Sequence, residues 1–309
     1  MKAPRRAIYA LDGQRWSAGH DALVDALAED YEEIVVAILK ADEGFTAAQP
    51  LTGGQRVERL TARLRGRVGR PFCVLPIKGA GLTAAQLAVR LGLYAPAFEA
   101  LVVEDEALAA AARWALGCRV RVEALEGVEA LAAGPRVARG LFIARAQPFH
   151  AGHAAFVAQM AEEQDEVIVL VAMANASHGL RDPATAGERV EMIWPALERI
   201  APGRHFLAAA PWVDHDAANV PDLRLILPDF GTLYTNSPST KALAGPGVAV
   251  RALKASVEVS GTEIRRRIIA GEPFEAMLPP ETARVMGRLP VAERLRALAQ
   301  PERRGQEGG

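Results

Sequence analysis

The chain has 309 residues, 50% of them hydrophobic and 24% charged, with a formal net charge of −1. That length carries two domains of ordinary size, each with its own core, and the balanced charge gives no global reason to expect nucleic acid or an anionic membrane as partner. The longest apolar run, Val167 to Ala174, is far shorter than the ~20 residues of a spanning helix. No secretory-type stretch opens MKAPRRAIYALDG, and Cys73 and Cys118 show neither disulfide nor metal-ligand spacing. The expectation is a soluble, cytoplasmic protein with reduced thiols and no metal ligands of its own.

In chain order, Ala7-Ile-Tyr-Ala-Leu11 is a short apolar run ending in polar residues, as buried parallel strands do. A helix is predicted over 22–30 and a second strand over Ile34-Val-Val-Ala-Ile38. The same order returns in the second half. Gly140-Leu-Phe-Ile-Ala144 reads as a strand, His153 to Glu163 as a helix with Phe156, Val157 and Met160 at helical spacing, and Val167-Ile-Val-Leu-Val171 as a further strand. Strand, helix, strand at this spacing is a βαβ unit, which requires a parallel sheet with helices on both faces. Small residues and a proline at Ala132-Ala-Gly-Pro135 interrupt the pattern and predict a seam there, giving units 1–133 and 134–309.

The two halves share more than a pattern. QRWSAGH (14–20) echoes QPFHAGH (147–153), and over residues 7–61 against 140–194 the ungapped match holds 17 identities in 55 positions. Among them are Gln14/Gln147, Gly19/Gly152, His20/His153, Glu33/Glu166, Thr52/Thr185, Gly54/Gly187 and Arg56-Val57-Glu58/Arg189-Val190-Glu191. A period of this length is a duplicated domain, not a solenoid repeat.

The chemistry-bearing residues sit in the second half. Ligands of a doubly wound sheet bind at the carboxyl ends of the strands, where helix N-termini offer free N–H groups. His150-Ala-Gly-His153 falls there, with both imidazoles on one side of a helix start and Gly152 allowing a phosphate close to the backbone. An isolated HxxH reads equally as a helix cap or part of a zinc site. Arg145, Arg181 and the Arg265-Arg266-Arg267 run after Ser260-Gly-Thr262 change that balance, because guanidinium groups from three separate points suit a polyphosphate. Arg266 and Arg267 read as a solvated helix face; Arg265, in the first turn after two hydroxyls, reads as the functional member.

These elements stand in a recognisable order: GLFIARAQPFHAGH (140–153), SHGLRDPATAGERVEMI (177–193), LYTNSP (233–238), VSGTEIRRRI (259–268) and MLPPETARVMGRLPVAERLRAL (277–298). Residues 139–300 so resemble the archaeal-type nicotinamide-nucleotide adenylyltransferases of the HxGH nucleotidyltransferase superfamily. The resemblance implies an α/β fold of two tandem Rossmann-like, doubly wound parallel-sheet domains, the first a degenerate nucleotidyltransferase-like copy and the second the catalytic one, with a disordered tail after about 301. It implies transfer of AMP from ATP to nicotinamide or nicotinate mononucleotide, with Mg²⁺ brought in by ATP, pyrophosphate as the second product, and a homo-oligomer. In this reading His150, His153 and Arg265 are catalytic. Arg145, Gln147, Gly152, Ser177, Arg181, Thr235, Asn236, Ser260 and Thr262 hold ATP, and Trp212, Asp214 and Asn219 hold the mononucleotide.

Two departures bear on that reading. Ala144 replaces the usual glycine before the motif arginine, and PWVDHDAANVPDLRLI (211–226) is about two residues short of the family's nicotinamide-recognising segment. Trp212 is either a displaced stacking residue or core filler, so a different phosphate acceptor, or a non-catalytic nucleotide sensor, stays open. In the first repeat Ser17 stands for His150, Asp12 for Arg145 and Ala48 for Arg181. Each change removes positive charge, so this copy is expected to be inactive and its remaining His20 structural.

Overall fold

A computed structural model describes residues 3–127, 129–212, 220–254 and 257–300. The first unit runs through β1 (Arg6–Leu11), β2 (Arg15–Trp16), α1 (Ala18–Asp30), β3 (Glu33–Ile38), α2 (Gly53–Leu64), β4 (Phe72–Pro76), α3 (Ala84–Tyr94), β5 (Ala100–Val103), α4 (Glu106–Ala115) and β6 (Arg119–Val122). After β7 (Glu129–Ala130), which pairs back antiparallel with β2, come β8 (Arg139–Ala144), α5 (Ala151–Glu163), β9 (Glu166–Val171), α6 (Ala186–Ile200), β10 (His205–Ala209) and α7 (Val220–Ile226). The chain continues through β11 (Thr232–Tyr234), α8 (Pro238–Lys241), β12 (Ala249–Arg251) and α9 (Gly261–Ala270). A 3₁₀ turn at Glu275–Met277, α10 (Pro280–Met286) and α11 (Val291–Ala299) close the described chain. Among the described residues, no helix is long and apolar enough to cross a membrane.

The strands form two all-parallel, five-stranded sheets with the same internal order, β4-β3-β1-β5-β6 and β10-β9-β8-β11-β12. The β-branched runs EIVVAI and EVIVLV form the strands beside the central ones because both faces of each sheet are covered, so continuous apolar side chains are buried. The pairing registers reproduce the sequence offset. Arg6 lies opposite Glu33 as Arg139 lies opposite Glu166, and Ile34 opposite Phe72 as Val167 lies opposite His205. The backbone repeats too. Left-handed residues occur at Gly13 and Ala146 (φ 75° and 52°), Lys40 and Met173 (49° and 54°), and Phe45 and His178 (59° and 58°), each pair 133 positions apart. A non-glycine residue costs roughly 1–2 kcal/mol in that region and persists only where its surroundings dictate it.

Those surroundings come from the shared residues. Thr52 and Thr185 each begin a helix with a reciprocal cap, the first with Gln55 and the second with Glu188. Fully buried Arg56 donates to the carbonyls of Asp12, Leu39, Lys40 and Glu43, and fully buried Arg189 to those of Arg145, Ala172, Met173 and Ala176. Gln14 clasps Leu51 through both its amide oxygen and nitrogen, and Gln147 clasps Ala184 in the same way. Identity between the repeats therefore marks loop scaffolding.

The units pack through a common core. One apolar cluster joins Leu75, Leu91 and Tyr94 of the first unit to Val190, Trp194 and Leu207 of the second. Full burial of each such side chain contributes about 1.5–3 kcal/mol. Around that core the ion pairs are reciprocal. Arg6 bonds Glu33 in its own unit and lies 3.6 Å from Glu191 in the other, while Arg139 bonds Glu166 in its own unit and Glu58 in the other at 3.0 Å.

Candidate active site

The site is built where β8 ends and α5 begins. His150 is the N-cap of α5, in extended backbone conformation, and its ring does what a Ser or Asp cap ordinarily does: the His153 N–H donates to His150 Nδ1 at 3.4 Å. The His150 N–H donates in turn to His153 Nδ1 at 3.3 Å, closing a capping box made of two imidazoles. Their rings stack with centroids 3.7 Å apart. Because both Nδ1 atoms accept, these bonds assign the proton of each neutral ring to Nε2. Burial pushes the His150 imidazolium down to about 4. Burial, with the neighbouring His150 adding to it, pushes His153 well below the usual histidine range. At neutral pH both rings are uncharged donors.

Gly152 has a local reason as well. A methyl group there would crowd the His150 ring at 3.2 Å, so the glycine keeps the imidazole seated over the helix start.

Around the histidines lies a cavity of about 220 Å³ lined by Arg145, Gln147, His150, His153, Arg181 and Arg265, with Gly261 and Thr262 at its rim. Arg265 projects from the second turn of α9, where it donates to the Gln147 carbonyl at 2.7 Å and to Thr262 Oγ1 at 3.2 Å. Gly261 allows this approach, since a Cβ there would stand 3.0 Å from the Gln147 carbonyl oxygen. Burial lowers the Arg265 guanidinium from its ordinary value, and the nearby Arg145 and Arg181 push it the same way against the pull of Asp182. Three mutually repelling cations around one cavity form a site for a multiply charged anion. Asp182, 9% exposed, sits 3.6 Å from Arg145 through one oxygen, while its other oxygen has no hydrogen-bond partner.

Two sequence candidates hold loops together through their side-chain amides. Gln147 lines the cavity, but its buried amide is engaged with Ala184, so it ties the β8–α5 turn to the loop before α6. Asn236 clasps Leu253 with both amide atoms. Thr235 is buried and accepts from the Ser237 N–H, and Ser260 caps α9 by accepting from the Glu263 N–H. Ser177 faces a separate inter-unit cleft of about 480 Å³, with Asn175, Thr185, Tyr94 and Trp114. Trp212 packs half-buried on the core that holds Phe206 and Leu223, and its backbone N–H donates to Asn175 Oδ1. Asp214 and Asn219, like the tail after 301, lie outside the described residues.

Arg189, Asp182 and Arg294 were not singled out by their sequence. Arg189 organises the carbonyls of the site loops, and Arg294 on α11 joins Glu188 at 2.8 Å and the Pro183 carbonyl at 2.7 Å, fastening the start of α6. Only Arg189 carried a signal, its identity with Arg56 in the repeat.

The first unit shows the contrast. Ser17 makes no cap bond to the backbone of α1 and instead bonds His20 Nδ1 at 2.7 Å, while His20 Nε2 lies 3.2 Å from Glu104 and the ring stacks near Trp16. Both nitrogens of that histidine are engaged within the protein.

A cytidylyltransferase-like family model matches residues 141–267, which span this site. The nicotinamide-nucleotide adenylyltransferase of Methanosarcina barkeri is 38% identical over 161 residues, 51% of this chain and 92% of that protein. The chain belongs to the nicotinamide-nucleotide adenylyltransferase family. The enzyme of that name from Pyrococcus horikoshii is also 38% identical, over 52% of this chain and 89% of its own length. Among solved structures, a bifunctional NMN adenylyltransferase/ADP ribose pyrophosphatase from Francisella tularensis is 17% identical with a TM-score of 0.43, over 52% of this chain and 53% of that one. As a member of the adenylyltransferase family, the chain differs from those two archaeal relatives in carrying about as many residues again outside the matched region.

Proposed function

We propose that the second unit transfers AMP from ATP to nicotinamide mononucleotide, or to its nicotinate form, releasing pyrophosphate. The observation that carries this reading is the meeting of His150, His153, Arg145, Arg181 and Arg265 around one cavity at the end of β8. A 5′-phosphate oxygen of the mononucleotide attacks the α-phosphorus of ATP, the bond from that phosphorus to the bridging oxygen of the β-phosphate breaks, and pyrophosphate leaves with the electron pair. No proton-abstracting base is needed, because the attacking oxygen is already anionic. Catalysis rests on alignment and on donors aimed at developing charge.

In this proposal the two Nε2–H groups and the N-terminus of α5 face the reacting phosphate, and Arg145, Arg181 and Arg265 hold the triphosphate. Among the described residues no three His, Cys, Asp or Glu side chains gather as a metal cage. The divalent ion is proposed to enter with the substrate as MgATP, in keeping with the preference of Mg²⁺ for phosphate oxygens and water. The first unit is proposed to be catalytically silent. Its matching positions carry Ser17, Asp12 and Ala48, and the charged side chains lining its own cavity at the strand ends are Asp12, Glu104 and Asp105 with the single cation Lys40.

The test is pyrophosphate release from purified protein with MgATP and each mononucleotide in turn, with CTP as the alternative donor. Release with ATP and nicotinamide or nicotinate mononucleotide, and its loss in His150→Ala, is expected. Turnover only with another acceptor or with CTP would replace this assignment.

A further inference from the structure

The first unit has a task that its own emptied site does not reveal. The α6 helix carries Arg189, whose guanidinium gathers the carbonyls of Arg145, Ala172, Met173 and Ala176. It thereby sets the strand ends that present Arg145 and the loop that leads to Arg181. Much of what fixes the buried side of α6 comes from the first unit. A Cβ on Gly187 would fall 2.0 Å from the Ala95 carbonyl oxygen at the end of α3, so the two backbones touch. One turn on, one oxygen of the Glu191 carboxylate, 2% exposed, bonds Arg288 of its own unit at 2.6 Å, and the other accepts from the Ala97 N–H at 3.3 Å and lies 3.6 Å from Arg6. The Arg6 guanidinium also sits over the Trp194 ring at 5.9 Å.

We infer that the first unit acts as a positioning subunit in cis, fixing α6 through Ala95, Ala97 and Arg6 so that Arg189 can hold the ATP-side loops of the second unit in register. This rests on the functional reading above only for the identity of the bound nucleotide. The geometry is that of a self-complementary dimer interface contained within one chain. Its mirror half is present as well: a Cβ on Gly54 would fall 1.8 Å from the Leu227 carbonyl oxygen, and Glu58 bonds Arg139. There the helix being braced is α2, whose Arg56 organises loops that carry Asp12 and Ala48 where the working site has Arg145 and Arg181.

The mirror supplies an internal control. Gly187→Ala and Gly54→Ala each drive one methyl group into a carbonyl of the other unit, so they load the interface similarly, but only the first displaces α6. In the full-length protein, hydrogen exchange of amides in 172–185 is expected to quicken at least tenfold in Gly187→Ala and stay unchanged in Gly54→Ala. MgATP affinity by calorimetry is expected to fall about tenfold in the first variant alone. Should either methyl prevent folding, Arg6→Met and Arg139→Met, which remove the reciprocal cations and leave the Arg288–Glu191 pair in place, are compared by the same two measurements, with the same asymmetry expected.

Equal effects of the paired variants on exchange and affinity, or no effect of either, would overturn the proposal by showing a purely structural contact. The exchange readout needs no substrate. A wild-type protein that fails to make a dinucleotide therefore removes the adenylyl-transfer reading while leaving this one to stand or fall on its own data.

Discussion

Replacing His150 with alanine separates its chemical role from its structural one. The substitution removes one Nε2–H donor from the cavity, and a donor aimed at developing charge is worth roughly 10²–10³ in turnover. It also removes the side-chain cap of α5 and the ring stacked on His153 at 3.7 Å. A lost cap costs about 1 kcal/mol, and a lost ring contact up to about 1 kcal/mol more. At pH 7 the variant should therefore unfold only a few degrees lower, since about 1–2 kcal/mol shifts the melting point by roughly 2–6 °C in a chain of this size.

The pH dependence sharpens the test. The folded-state value of His150 lies near 4, below the 6.5 of the free side chain, so the folded protein binds fewer protons than the unfolded one between those limits. The wild type keeps its full stability from this group above about pH 6.5 and loses it as pH falls toward 4. At about 1.4 kcal/mol per pH unit, the loss amounts to roughly 3 kcal/mol. The alanine variant lacks that loss, so the two stability curves should cross near pH 5. Urea midpoints from pH 4.5 to 7.5 and single-turnover rates at pH 7.5 measure both effects. A rate reduced less than tenfold, or parallel stability curves, would refute the placement of a buried, neutral, reacting imidazole at this position.

Further outcomes follow from the same geometry. Arg265→Ala removes a charged donor worth about 1.5–3 kcal/mol, so kcat/KM for ATP should fall roughly 10- to 100-fold with the mononucleotide KM little changed in steady-state assays. Ser17→Ala breaks only the bond to His20 and should leave turnover at the wild-type value, a drop of more than twofold contradicting a silent first unit. Arg189→Met strands four buried carbonyls, a loss of at least ~3 kcal/mol. Arg56→Met should cost a similar amount in denaturant titrations, yet only the Arg189 variant should also raise the KM for ATP.

Periodicity and β-branched runs were enough to locate β1, β3, β8 and β9, because a strand covered on both faces must be apolar at every position. The 133-residue echo likewise made the duplicated unit legible before any coordinates. Less legible was the meaning of each shared residue. The amide of Gln147, shared with Gln14, is engaged with Ala184, as that of the unshared Asn236 is with Leu253, partners whose distance depends on how loops cross in space. Ser177 lines the inter-unit cleft, a placement set by how the two units pack.

The sequence by itself determined that two βαβ-based units follow one another, and that the paired imidazoles, with arginine at 145 and 181, stand in the second while the matching positions of the first hold Ser17, Asp12 and Ala48. Those are local properties, carried by residue type and spacing. Only the tertiary structure decided that Arg145, Arg181 and Arg265 share one cavity, and that Glu58 and Glu191 are exchanged between units as reciprocal clamps. The reciprocal clamps join residues 81 and 185 positions apart. Whether such side chains meet depends on sheet order and on the packing of one unit against the other, and neither is written in any single stretch of the chain.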